Sequence, residues 1–234
     1  MTTPHPDRSA VVRDSLGVGI ATGLYGTSFG AVAVASGLSV AQTCALSLVM
    51  FTGASQFALV GVLAAGGTPA TAGLTALLLG TRNTLYGLRV GPLLGWTGVR
   101  RLAGSHLLID ESTAMAVAQP SRDLARVGFL ATGVSIFVLW NLFTLLGAVA
   151  GEALGDPRTY GLDAAVGAAF LALVWPRLSD RRNQVVAVLA AAIALGLVPI
   201  AAAGVPVLAA GGVALLAGVL SRRPDATEIP ERPR

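Results

Sequence analysis

Gly80-Thr81-Arg82-Asn83-Thr84-Leu85-Tyr86-Gly87 is the stretch on which the reading of this chain turns. It lies within residues 70–94, a run otherwise almost free of charge. A second polar string, Thr52-Gly53-Ala54-Ser55-Gln56-Phe57, interrupts the apolar run before it. A charge or a cluster of hydrogen-bonding side chains at bilayer depth is costly unless it faces protein or water. A chain that keeps both strings has built a polar site inside a membrane, and a transporter is the first hypothesis.

Composition points the same way. The 234 residues are 54% hydrophobic and 12% charged, with a mean hydropathy of +0.73. Soluble domains carry roughly 25% charged residues. Half that value, with long uncharged runs, indicates an all-α polytopic membrane bundle of about 6–8 segments. The 29 glycines favour close helix approach, since lipid provides no hydrophobic drive between helices. Every basic residue is Arg, and the arginines cluster at the ends of apolar runs, where they set topology. The net charge of +4 therefore implies no nucleic-acid partner. One cysteine, Cys44, excludes an internal disulfide. Two histidines, His5 and His106, make a metal site improbable, and no cofactor is expected.

Residues 1–14 read as a polar cytoplasmic tail, 15–220 as one transmembrane domain, and 221–234 as a polar tail without structure. Spans are expected over residues 16–35, 40–65, 70–94, 127–150, 161–175, 183–203 and 205–220. Residues 102–119 carry His106, Asp110 and Glu111, and read as an interfacial or cavity-lining helix. Gly19 and Gly23, and Gly26 and Gly30, form GxxxG patterns whose main expected use is helix packing. A loose small-residue pattern shared by residues 19–34 and 128–149 hints at an internal repeat.

The arginines near Arg13, Arg122–Arg126, Arg177–Arg182 and Arg222–Arg223 should lie on one side, the cytoplasm. An even number of crossings must then separate Arg13 from Arg122. Making 102–119 a true span achieves this but places Arg100 and Arg101 outside. Breaking 70–94 into two half-helices near Thr81-Arg82-Asn83 keeps all clusters inside, and is the preferred arrangement.

Ser55 and Gln56 can hydrogen-bond a zwitterion without carrying charge, although interhelical bonding is an equal use for them. Arg82 can pair with an anionic ligand or, equally, with Asp110, Glu111 or Asp163. Tyr86 lies one turn beyond Arg82 on the same face. Asp110, Glu111 and Asp163 are the candidate ion-coupling acids, because an acid in an apolar setting can load and release a proton near neutral pH. For Asp163 a place in the first turn of its helix is a strong competing role.

Phe51-Thr52-Gly53-Ala54-Ser55-Gln56-Phe57-Ala58 is similar to the F-x-G-A-S-Q-F-A signature of the AzlC/YgaZ-type branched-chain amino acid permeases. Residues 81–88 resemble that family's N-x-R-H-x-L-Y-G pattern at Arg82, Leu85, Tyr86 and Gly87. Residues 109–116 resemble T-D-E-x-F-A at Asp110 and Glu111, and 161–173 resemble its G-L-D-F-A element. The chain departs from the family where Ser28-Phe29-Gly30 stands for P-F-G, Gly80 for Asn and Asn83 for His. The resemblance covers about residues 16–220. It implies efflux of branched-chain amino acids such as valine, ion coupling, a bacterial inner-membrane location, no enzymatic activity, and a small AzlD/YgaH-type membrane partner. Phe29, Thr52, Gly53, Ala54, Ser55, Gln56, Arg82, Asn83 and Tyr86 are the expected substrate contacts. Two other functions are carried beside it: an intramembrane hydrolase using Ser55 with His106 as base, and a scaffold subunit without transport.

Overall fold

The computed structural model describes residues 7–154, 171 and 174–220. These fall into two compact units divided after Leu171. All regular structure among the described residues is helical.

In the first unit, helix α1 (Arg8–Leu24) runs into α2 (Gly26–Ala35) through a single turn residue, Tyr25. Asp7 caps α1 by accepting a hydrogen bond from the Ala10 N–H at 2.7 Å, so helix begins inside the stretch read as a tail. The partner of this rod is α8 (Arg122–Leu154), and the two run parallel. Gly19 lies against Ser135, Gly23 against Leu139, Gly26 against Trp140 and Gly30 against Thr144 and Ala148. Residue numbers rise together along both helices, which fixes the direction. The helices touch backbone to backbone because these positions lack a Cβ. A Cβ on Gly26 would sit 2.6 Å from the Trp140 carbonyl oxygen. The GxxxG patterns are therefore a packing device, and the two segments with the shared small-residue pattern are one another's neighbours.

Residues 8–35 and 122–153 are also the two helices among those described that are long and apolar enough to cross a membrane. Along α8, Leu130, Val134, Val138, Leu142, Leu145 and Val149 form an exposed stripe at helical spacing. The opposite face buries Thr132, Ile136, Trp140 and Thr144. An apolar exterior over a core holding Thr and Ser is the polarity expected of a helix bundle in lipid.

Two hairpins lie between these rods. Helix α3 (Val40–Val49) leaves the far end of α2 and runs back beside α8, with the Ser47 hydroxyl 3.5 Å from that of Thr144. The chain breaks at Met50-Phe51-Thr52, where Phe51 sits edge-on to Phe137 at 5.1 Å. Helix α4 (Gly53–Ala64) then returns along α2 to the end where α3 began. Helix α5 (Pro69–Leu94) turns antiparallel to α4 and runs its 26 residues, about 39 Å at 1.5 Å per residue, to the other end of the bundle. There Arg126 donates to the Leu94 carbonyl at 2.8 Å and Arg122 to that of Pro92 at 3.3 Å. Both bonds satisfy carbonyls that a helix C-terminus leaves open. Helix α6 (Gly98–His106) climbs from this end, with Leu107 against Gly133. The chain breaks at Leu107-Leu108-Ile109, and α7 (Asp110–Val117) descends again, with Met115 against Gly128. Each hairpin thus enters and leaves at one end of the bundle, α3–α4 at the end holding Leu154 and α6–α7 at the end holding Arg122.

This corrects the expected position of the break. Helix α5 is continuous through Thr81, Arg82 and Asn83. The discontinuities are at 50–52, inside a segment read as one span, and at 107–109. Between Arg13 and Arg122, α1–α2 and α5 each run from one end of the bundle to the other, and both hairpins turn back.

In the second unit, a 3-10 turn (Trp175–Ser179) leads into α9 (Arg181–Leu197), which pairs with α10 (Val205–Leu220). Asp180 caps α9 through the Arg182 N–H, and the Arg182 guanidinium donates to the Ala217 carbonyl at 3.1 Å. The expected span at 161–175 and its Asp163 lie largely or wholly outside the described residues.

Candidate functional site

The two hairpin tips meet at half height. Phe51, at the α3–α4 break, stands 6.1 Å from His106, at the end of α6, and both rings rest on Phe137. Beneath them, Tyr25, Phe29, Phe57 and Trp140 form a ring cluster with centroids 5.5–6.5 Å apart. The edge of Trp140 supports the first turn of α4, 3.1 Å from where a Cβ on Gly53 would sit. Phe29 is wholly buried in this cluster. These rings, and Trp140 above all, hold the half-helix in place, and sequence reasoning did not assign them that task.

The polar groups gather where α4 begins, where α7 begins and where α5 passes. Arg82 bonds Asp110 at 3.1 Å, Nη1 to Oδ2, with each side chain 31% exposed. Asp110 and Glu111 form the first turn of α7, where backbone N–H groups and the helix dipole favour negative charge. Ser112 completes that turn, accepting from the Ile109 N–H at 3.1 Å and donating to the Leu107 carbonyl at 2.7 Å. Helix α4 begins differently. Its N-cap, Thr52, makes no side-chain capping bond. Ser55 is 1% exposed, and its hydroxyl points at α5, 3.6 Å from the Cβ position of Gly80. Gln56 ties α4 to α3 by donating to the Leu46 carbonyl at 3.5 Å.

Several buried polar atoms here make no hydrogen bond: Thr52 Oγ1, Ser55 Oγ, Gln56 Oε1, Arg82 Nε, Asn83 Oδ1 and Asp110 Oδ1. An unpaired buried polar group costs roughly 1–3 kcal/mol. Six of the thirteen such atoms among the described residues lie on these three adjoining helix segments, an arrangement suited to a polar ligand. From Asn83 a cleft of about 400 Å³ opens toward the Arg122 end, between α5 and α6, past Gly87, Gly91, Leu108 and Arg101.

Of the expected contacts, Thr52 to Gln56, Arg82, Asn83 and Asp110 are brought to this level. Glu111 sits beside Asp110 in the same turn, and Tyr86 is half-buried one turn beyond Arg82. Of the acids expected to pair with Arg82, Asp110 does so, and Asp163 lies outside the described residues. Ser55 Oγ makes no hydrogen bond, and His106 is exposed and packed against Phe51 and Phe137, so the expected serine–histidine pair is not formed among the described residues. No group of three or more His, Cys, Asp or Glu among the described residues is placed to hold a metal.

Inverted polarity, a parallel glycine-paired rod and two opposed half-helix hairpins around a half-buried ion pair define an α-helical integral membrane protein. Residues 17–154 match the family model described as AzlC protein. The chain is 31% identical over 209 residues, 82% of each chain, to inner membrane protein YgaZ of Escherichia coli (strain K12). It is 25% identical over 181 residues, 74% of this chain and 78% of the relative, to an uncharacterized membrane protein of Helicobacter pylori (strain ATCC 700392 / 26695). No solved structure matches the chain. The chain belongs to the AzlC family, and the inner-membrane location read from its sequence agrees with these relatives. The matched residues run from the first rod through both hairpins to the end of α8.

Proposed function

We propose that the chain is a secondary transporter exporting branched-chain and similar small apolar amino acids, valine among them, with export coupled to an ion gradient. The observation that carries this reading is the meeting of two opposed hairpin tips around the Arg82–Asp110 pair and its unbonded polar neighbours. Broken helices whose half-helix ends converge at the midplane are how secondary transporters expose backbone groups to a polar substrate. The Arg122 end carries Arg8, Arg13, Arg100, Arg101 and Arg126, which makes it the cytoplasmic end. The cleft from Asn83 to Arg101 is then the cytoplasmic approach to the site. Asp110, Glu111 and Asp163 are the groups proposed to carry a coupling proton. A small membrane subunit of the AzlD/YgaH type is the proposed partner.

Reconstitution into liposomes, with and without the small subunit, tests this through valine counterflow. The parent protein exchanges labelled valine, and Gln56→Ala and Arg82→Ala lose most of that exchange. No counterflow of valine, leucine or isoleucine in either preparation would refute the proposal.

A further inference from the structure

The two half-helices that meet at the centre have the same local layout but opposite electrostatics. Each starts after a break in the chain and carries Ser at its third position: Thr52-Gly53-Ala54-Ser55 in α4 and Ile109-Asp110-Glu111-Ser112 in α7. The positive end of α7 is already answered. Asp110 and Glu111 supply two carboxylates, and Ser112 takes up the Ile109 N–H. The positive end of α4 has no acid in its first turn and no side-chain cap. Its Ser55 is 1% exposed with an unbonded hydroxyl turned into the gap between α4 and α5. A 12-residue helix with this unanswered end favours an anion there.

Arg82 is the group that charge alone would nominate for that anion, but its Nη1 is taken by Asp110. Asp110 keeps one carboxylate oxygen, Oδ1, buried and unbonded, and Asn83 Oδ1 is likewise an unbonded acceptor. The site therefore offers donors on α4, acceptors on α7 and α5, and one further unbonded donor, Arg82 Nε, beside the Asp110 carboxylate. We infer that the α-carboxylate of the substrate is held by the first-turn N–H groups of α4 and the Ser55 hydroxyl, and that its ammonium is held by Asp110 and Asn83. Arg82 acts as a positioning residue that orients Asp110. This assignment rests on the transport reading and gives that same site its polarity. The substrate class is an α-amino acid with both charged groups free.

The test is equilibrium binding to the purified protein, with its small subunit if needed for stability, using L-valine, L-valinamide (no carboxylate) and isovalerate (no ammonium). The parent binds valine and binds each analogue at least about 10-fold more weakly, since each loses hydrogen bonds to a charged group. Ser55→Ala weakens valine by about 10-fold or more and leaves valinamide within about 2-fold. Ser55→Asp places a resident carboxylate where α7 has its own, and reverses the preference so that valinamide binds better than valine. Circular dichroism and the melting temperature confirm that both variants fold. Equal valine affinity in the parent and Ser55→Ala, with Ser55→Asp still preferring valine, overturns the carboxylate assignment while leaving transport standing. Failure of the parent to bind any aliphatic amino acid strikes at the transport reading instead.

Discussion

Replacing Arg82 by Gln separates a positioning ion pair from two charges that merely lie near one another. At 3.1 Å and an effective dielectric of about 20, the Arg82–Asp110 attraction amounts to about 5 kcal/mol. Exposed pairs yield about 0–1 kcal/mol net, and removing one partner of a fully buried pair costs about 3–5 kcal/mol. With each side chain 31% exposed the pair sits between these limits, and loss of one partner is expected to cost about 2–3 kcal/mol. Asp110→Asn should cost a similar amount. The double variant should be less destabilised than the sum of the two by about 1–2 kcal/mol, because the second removal leaves no stranded charge. The assay is equilibrium unfolding in mixed micelles, read by tryptophan fluorescence, for the parent, both single variants and the double. Additivity within about 0.3–0.5 kcal/mol would show that the two groups do not act on each other, and would refute the account of Arg82 as the residue that orients Asp110.

Gly30→Val should destabilise the parallel rod by at least about 1–3 kcal/mol, seen as a lowered melting temperature, because its side chain would meet the backbone of α8 at Thr144 and Ala148. Ser112→Ala should cost about 1–3 kcal/mol in the same assay, since it strands the Ile109 N–H and the Leu107 carbonyl at a buried break. Asp7, held below its usual value of 3.8 chiefly by the Ala10 N–H and then by the Ser9 hydroxyl, stabilises the start of α1 only while ionised. A folded-state value below the unfolded one means this contribution is present above about pH 4 and disappears as pH falls through the lowered value. The protection factor for hydrogen exchange at Ala10 should therefore fall as pH drops below about 4 in the parent and be low at every pH in Asp7→Ala.

The helix-pairing glycines were legible in the sequence because GxxxG spacing places small residues on one face, and Gly19, Gly23, Gly26 and Gly30 do lie along α8. The polar strings were legible because Ser, Gln, Arg and Asp stand out against apolar runs, and the fold brings Ser55, Arg82 and Asp110 to one level. The breaks were not legible. Gly80-Thr81-Arg82-Asn83 looks like an interruption, yet a continuous ladder of backbone bonds carries α5 through it, and Thr81 bonds back to the Leu78 carbonyl at 2.6 Å. The true break at Met50-Phe51-Thr52 contains neither Gly nor Pro and is set by Phe51 docking on Phe137, a contact 86 residues distant in the chain. The second break left one usable signal: Asp110-Glu111 is the paired acid expected of a helix first turn. A start at Asp110 would have divided 102–119 in sequence alone. The supporting role of Trp140 had no sequence signal, because an aromatic residue in an apolar run looks the same whether it faces lipid or a half-helix tip.

Cysteine accessibility tests the opposed-hairpin arrangement most directly. In a Cys44→Ser background, single cysteines at Ala41 and Ala65 mark the two ends of the α3–α4 hairpin, and cysteines at Thr97 and Ala118 mark those of α6–α7; all four positions are exposed. With a membrane-impermeant thiol reagent applied to intact cells and to inverted vesicles, Ala41→Cys and Ala65→Cys should label from the outer face, and Thr97→Cys and Ala118→Cys from the cytoplasmic face. Labelling of Ala41→Cys and Ala65→Cys from opposite faces would make residues 40–64 a full crossing and contradict the account.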